Sequence, residues 1–224
     1  MSPSIDVIGI TISEPTTAAT DYLIMVFAWW FGGRLFHLQG DSANSAIRFW
    51  GLAFIFIGLG AVFGGTSHGL ATYLGERADF YIWKTTVYAV GLSMLFAVAG
   101  TIVATPLGNA MRKTLHILNV TAFAIYATWM LGHSAFVYVI YHYVPAMITI
   151  ALLQVLVYVR QRSSGPLWLI AGVVITLCGA IIQQSGLTIH EYFNNNDLYH
   201  LIQIVGLILL YRGARALGEV RLPG

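Results

Sequence analysis

Histidines and carboxylates that gather beside long apolar stretches are the residues of this sequence best suited to chemistry. Five of the seven histidines fall in one layer of the predicted elements: His68, His133, His142, His190 and His200. Four acidic residues fall in the same layer: Glu76, Asp79, Glu191 and Asp197. Ionisable groups at membrane depth are costly, so they usually face the interior of a bundle and have partners. Imidazoles and carboxylates in one layer therefore indicate a metal site, a proton relay or a polar ligand.

The most specific stretch is HEYFNNNDLYH, which ends at His200. Asn194 or Asn195 is predicted to cap the last helix, and Asp197 in the first turn suits the helix dipole. Asn196 and His200 are four residues apart, so they share one helix face. Asp197 and His200 are three apart and can also touch.

The elements that must position these residues are membrane-spanning helices. Of the 224 residues, 58% are hydrophobic and only 9% are charged, against roughly 25% charged residues in soluble proteins. This composition excludes a soluble enzyme, a disordered chain and a disulfide-stapled scaffold, and the net charge of +2 indicates no nucleic-acid partner. Seven continuous apolar runs predict an all-α, seven-transmembrane helix bundle that forms a single integral membrane domain, 1–224. The predicted spans are roughly 18–38, 50–74, 80–104, 114–132, 134–159, 166–188 and 197–212.

The basic residues predict the direction of the bundle. Nine of them fall on one side of the predicted spans: Arg34, Arg48, Arg112, Lys113, Arg160, Arg162, Arg212, Arg215 and Arg221. Only Arg77 and Lys84 fall on the other side. Because cytoplasmic loops carry the excess of Lys and Arg, we expect the N-terminus outside and the C-terminus in the cytoplasm. The histidine layer then lies in the outer half.

The layout resembles the CREST superfamily of seven-span membrane hydrolases, which includes alkaline ceramidases and the progestin and adipoQ receptors. In that family a His near the end of span 2 and a His-x-x-x-His on span 7 bind zinc. A Ser on span 2 and an Asp at span 3 accompany them. His68, Asp79 and His200 match three of these positions, and Asn194 to His200 also looks like a divergent bacterial branch of the group.

Two positions depart from the family pattern. Asn196 stands where the first span-7 His is expected, and Gly64 stands where the Ser is expected. A complete zinc site therefore needs a replacement ligand. We take His190 as that third metal ligand, beside His68 and His200. The alternatives are His142 and Asp197.

The resemblance implies zinc-dependent hydrolysis of a lipid amide or ester, with zinc as cofactor and Asp79 or Asp197 as general base. The rival interpretation is a non-enzymatic bundle that binds a lipid or a partner membrane protein, and Asn196 and Gly64 favour it. Membrane lipids are the expected partners in either case. The short loops favour a bacterial inner membrane. A retinal protein is not expected, because span 7 has no Lys for a Schiff base.

Overall fold

The computed structural model describes residues 4–39 and 45–217, which form a short β-hairpin followed by seven helices. The helices are α1 (Pro15–Gln39), α2 (Ser45–Leu74), α3 (Glu76–Ala104), α4 (Asn109–Gly132), α5 (Phe136–Gln161), α6 (Gly165–Gln184) and α7 (Asn195–Ala216). Five of them, α2 to α6, are long and apolar enough to cross a membrane. The prediction of a helical membrane protein is confirmed to that extent.

Several helices are longer than the apolar runs that predicted them. Helices α1 to α4 begin at residues 15, 45, 76 and 109, rather than at 18, 50, 80 and 114. Helix α6 instead ends early, at Gln184 rather than at 188, and Gly186 follows with a left-handed φ of 67°. A glycine in this conformation is a common helix stop. Arg221, which contributed to the predicted direction, lies outside the described residues.

The hairpin at the start of the described chain was not predicted. Strands β1 (Ser4–Val7) and β2 (Ile10–Ser13) pair antiparallel. Ile8 and Gly9 have φ angles of 55° and 78°, and two successive positive values are typical of tight hairpin turns. The Ser13 hydroxyl lies 3.1 Å from the Thr72 hydroxyl, which fastens β2 to the last turns of α2.

Six of the seven helices form a closed ring in the order α1, α2, α3, α5, α6, α7, with α7 packed back against α1. Helix α4 lies outside this ring against α3, and its buried residues are Tyr126 and Met130. Lys84 and Trp83 of α3 hold the end of α4. The Lys84 ammonium donates to the carbonyls of Met130 and His133, and the Trp83 indole N–H donates to Ser134 over 2.7 Å.

Glycines bring α2 close to its neighbours. The sequence predicts close helix contact from the spacing of Gly60, Gly64, Gly65 and Gly69 along this span. A Cβ at Gly69 would lie 3.1 Å from the Cβ of Ala18 in α1, and one at Gly60 would lie 3.0 Å from Val90 in α3. The predicted close contact is therefore confirmed on both sides of α2.

Candidate functional site

The helix ring encloses a cavity of about 280 Å³. Its lining residues come from all six ring helices, and none comes from α4. On α2 the lining runs from Trp50 to His68, a separation of 18 residues, or about 27 Å at 1.5 Å per residue. The cavity is thus long and narrow and runs along the helix axes.

Polar groups concentrate at one end of this cavity. We call this the polar end, defined by Asp21, His68, Asn196 and His200. The walls beyond it are mainly apolar, and we call them the apolar shaft: Phe54, Ala61, Met94, Met147, Leu207 and Leu210. Tyr143, Tyr199 and Gln203 also line the cavity. The Gln203 amide donates to the Tyr199 hydroxyl over 2.9 Å and to that of Tyr143 over 3.4 Å.

His68 is held at the polar end by a carboxylate that precedes α1. Its Nδ1 lies 2.7 Å from Oε2 of Glu14, and its ring packs edge-on against Trp83 with centroids 5.9 Å apart. Glu14 has a left-handed φ of 44°, which is uncommon for a residue with a Cβ. Such strained positions are often found at functional sites. With Nδ1 engaged, Nε2 is the ring nitrogen left for chemistry.

His200 is held by two neighbours on α1. Its Nδ1 lies 2.9 Å from the Thr20 hydroxyl, and its Nε2 lies 3.5 Å from Oδ1 of Asp21. The Thr20 hydroxyl is also 3.0 Å from the carbonyls of Thr16 and Thr17. A hydroxyl has one proton, so Thr20 can donate either to the backbone or to the imidazole. That choice sets which nitrogen of His200 carries a proton.

Asp21, like Glu14, is a site residue that the sequence did not predict. Its carboxyl group lines the cavity, although only 6% of the residue is exposed. Two glycines of α2 make room for it. A Cβ at Gly64 would lie 3.4 Å from Oδ2 of Asp21, and one at Gly65 would lie 2.9 Å from the Asp21 Cβ. At Gly64, where the CREST pattern has a serine, the open space thus adjoins the Asp21 carboxyl group.

The two predicted general bases, Asp79 and Asp197, do not line the cavity. Asp79 accepts a hydrogen bond from the Ser67 hydroxyl over 2.5 Å. Asp197 is 1% exposed and accepts from the Thr17 hydroxyl and from the Asn194 backbone N–H, both over 2.7 Å. The Asn194 side chain accepts in turn from the first turn of α7. Asn194 is therefore the cap, and Asp197 completes a capping box.

The histidines considered as a third ligand also lie elsewhere. His190 is exposed in the link between α6 and α7, where its Nδ1 accepts from the Tyr192 backbone N–H over 3.2 Å. His142 stacks on Tyr126 with ring centroids 4.4 Å apart, in a separate groove beside α4. Asn196 does line the cavity, where its amide oxygen lies 3.4 Å from the Gln183 amide nitrogen.

The predicted zinc set of His68, His190 and His200 does not assemble in this arrangement. Across residues 4–39 and 45–217, no three His, Cys, Asp or Glu side chains are grouped so that they could hold a metal ion. His68 and His200 share the cavity, and with Nδ1 bonded to Glu14 and Thr20 each has Nε2 as its second ring nitrogen. Zinc-bound histidines commonly carry such a hydrogen bond on the other nitrogen, but His190 does not join the pair, so the described side chains bring together two of the three predicted ligands. Zinc binding stays a prediction.

Fold and site together define a helical membrane protein with an internal cavity that is polar at one end. The chain belongs to a family of unknown function, DUF6962, whose model matches residues 16–219. Comparison with curated proteins and with solved structures gives no match.

The two neighbouring glycines provide a matched test of this geometry. Gly65→Ala should destabilise the protein by about 1–3 kcal/mol, because the new methyl overpacks the contact with α1. In addition to Asp21, it would meet the backbone carbonyl oxygen of Ala18 at 3.1 Å. Gly64→Ala should be neutral or stabilise by up to about 1 kcal/mol, because alanine favours the helix. Thermal unfolding in detergent measures both variants, and equal effects would contradict the described α1–α2 contact.

Proposed function

We propose that this protein binds an amphipathic lipid in the central cavity. The polar group of the lipid would lie at the polar end, and its hydrocarbon chain would occupy the apolar shaft. The observation that carries the proposal is the shape and chemistry of the cavity, about 280 Å³ in volume and polar chiefly at one end. Ligand sites of this kind are mostly apolar, with a few placed polar groups that set orientation.

Filling the apolar shaft should weaken lipid binding. Ala61 lies in the lining and is 6% exposed, so Ala61→Phe would displace part of the bound chain. Each buried methylene contributes about 0.8 kcal/mol, so losing two of them weakens binding about tenfold. Lipid retained on the purified protein is measured by native mass spectrometry from detergent micelles. The control is Ala124→Phe, at an exposed position of α4 outside the cavity. Unchanged retention in Ala61→Phe would contradict the proposal.

Hydrolysis of a lipid amide or ester is a second candidate, favoured by the Glu14–His68 pair at the cavity. A carboxylate that fixes one nitrogen of an imidazole leaves the other in position to act as a general base. The matches of His68, Asp79 and His200 to the CREST pattern also support this candidate, and we propose that the chain is a divergent member of that group.

The described residues can supply such a reaction as follows. His68 Nε2 takes a proton from water, whose oxygen forms a bond to the lipid carbonyl carbon. The C–N or C–O bond then breaks, and His68 returns the proton to the leaving amine or alcohol. The amide N–H group of Asn196 is a donor of the type that stabilises the oxyanion formed in between. No step of this scheme uses a metal.

His68→Gln tests the second candidate. Loss of a general base should lower the rate of hydrolysis by about 10²–10⁴-fold, measured as fatty acid released from an N-acyl long-chain amine or the matching ester. The control is His142→Gln, because His142 lies in the separate groove beside α4. An unchanged rate in His68→Gln would exclude this role. Stoichiometric zinc in the purified protein that His68→Gln removes would instead favour zinc-dependent hydrolysis over the metal-free scheme.

We infer that all seven helices cross the membrane, with the N-terminus outside and the C-terminus in the cytoplasm of a bacterial inner membrane. Helices α1 and α7 are not among the five helices that are long and apolar enough by composition to span a membrane, but they complete the ring that encloses the cavity. The excess of basic residues on one side supports the direction. The polar end then faces outward.

A reporter fused after Gly224 tests this topology. Seven spans with the N-terminus outside place the fusion point in the cytoplasm, so green fluorescent protein should fluoresce there and alkaline phosphatase should be inactive. The control is a fusion in the link between α2 and α3, at Gly75, which should give the opposite pair of results. Active phosphatase at the C-terminus would contradict either the number of spans or their direction.

A further inference from the structure

The tryptophan at the far end of the cavity has an indole N–H without an acceptor. Trp50 lies near the start of α2, is 2% exposed and lines the cavity about 27 Å from His68. Among the described residues, nothing accepts a hydrogen bond from its Nε1. The indole nitrogen can only donate. Buried polar groups are rarely left unpaired, so this one needs an explanation.

Two other tryptophans, the half-buried Trp83 and the 39% exposed Trp29, differ in this respect. Trp29 donates to the Ile55 carbonyl over 3.2 Å, and Trp83 donates to that of Ser134 over 2.7 Å. Trp50 is more buried than Trp29, and its ring is accommodated by Gly100, where a Cβ would meet Cδ1 at 2.8 Å. The fold thus makes room for an indole at this position without pairing its N–H.

A second unpaired group belongs to a residue that lines the cavity from the opposite side of the helix ring. Thr176 of α6 is 1% exposed and lines the cavity, and no described residue bonds its hydroxyl. Other threonines in these helices donate to the carbonyl four residues earlier, as Thr101 does to Ala97 over 2.8 Å. Two residues that line the cavity outside the polar end, Trp50 and Thr176, therefore each carry a buried polar group that no described residue pairs.

We propose that Trp50 forms a second polar subsite, which accepts the far end of a lipid that carries an oxygen at both ends. This inference rests on the proposed lipid function and narrows its ligand class. The near polar group meets His68, Asp21 and His200, the chain follows the apolar shaft, and an acceptor oxygen at the far end receives the Trp50 N–H. A hydroxyl, a carbonyl or a carboxylate would each serve as that acceptor.

Matched alcohols test the subsite without changing the protein. The probes are straight-chain alcohols from dodecanol to octadecanol and the α,ω-diols of the same lengths, titrated into the purified full-length protein in detergent. At the chain length that spans the cavity, the diol should bind about threefold to tenfold more tightly than the alcohol, because it adds one buried hydrogen bond. Equal affinities at every length would overturn the subsite and leave the proposed lipid function standing. Failure of both probes to bind would overturn both proposals.

Trp50→Phe assigns the preference to its donor. This variant removes the N–H and keeps an aromatic ring, so the ratio of the diol affinity to the alcohol affinity should fall to about one. The control is Trp30→Phe, whose side chain is largely exposed. In ¹⁵N-labelled wild type, the indole resonance of Trp50 should shift with the diol and not with the alcohol. A diol preference that survives in Trp50→Phe, or an indole resonance that does not respond, would overturn the assignment.

Discussion

The polar end depends on the close contact between α1 and α2 at Gly65. This contact lets α1 lie deep enough in the ring for three polar residues on its inner face to reach α7. Thr17 donates to Asp197, Thr20 contacts His200, and Asp21 lies 3.5 Å from the same imidazole. A larger residue in place of the glycine would push α1 outward, so the carboxyl group in the cavity exists because α2 has no side chain there.

The acidic groups near this site have defined partners, which is what the low polarity of a bundle interior requires. Asp197 stabilises the start of α7 and thereby fixes the position of His200, three residues further along. Asp79 is bonded to Ser67, the neighbour of His68 in the chain. These two carboxylates do not line the cavity, but they position residues next to it. Glu14 and Asp21 are the ones that contact its imidazoles.

The sequence predicts much of this fold, because continuous apolar runs, glycine spacing and a helix cap are local signals. It also predicts that Asn196 and His200 share a helix face, and both line the cavity. Glu14 and Asp21 could not be assigned in this way, because their roles arise from how α1 packs against α2 and α7. One signal for Asp21 was present: Thr17, four residues before it, repeats a polar group on the same face of an otherwise apolar helix. Asp79 and Asp197 lie outside the cavity lining, where one accepts from a neighbouring hydroxyl and the other completes a helix cap. Their role as general base stays a prediction.

Helix α4 lies outside the ring, and its place has a consequence for the direction of the chain. Short links make successive helices antiparallel. If α3 were joined directly to α5 by a short link, then α5 and α7 would run antiparallel to α1 and α3, and α6 would run antiparallel to α2. With α4 in between, α5 and α7 run parallel to α1 and α3, and α6 runs parallel to α2. Helix α4 thus contributes no residue to the lining of the cavity. It nevertheless determines which ends of α5, α6 and α7 lie at the polar end of the cavity.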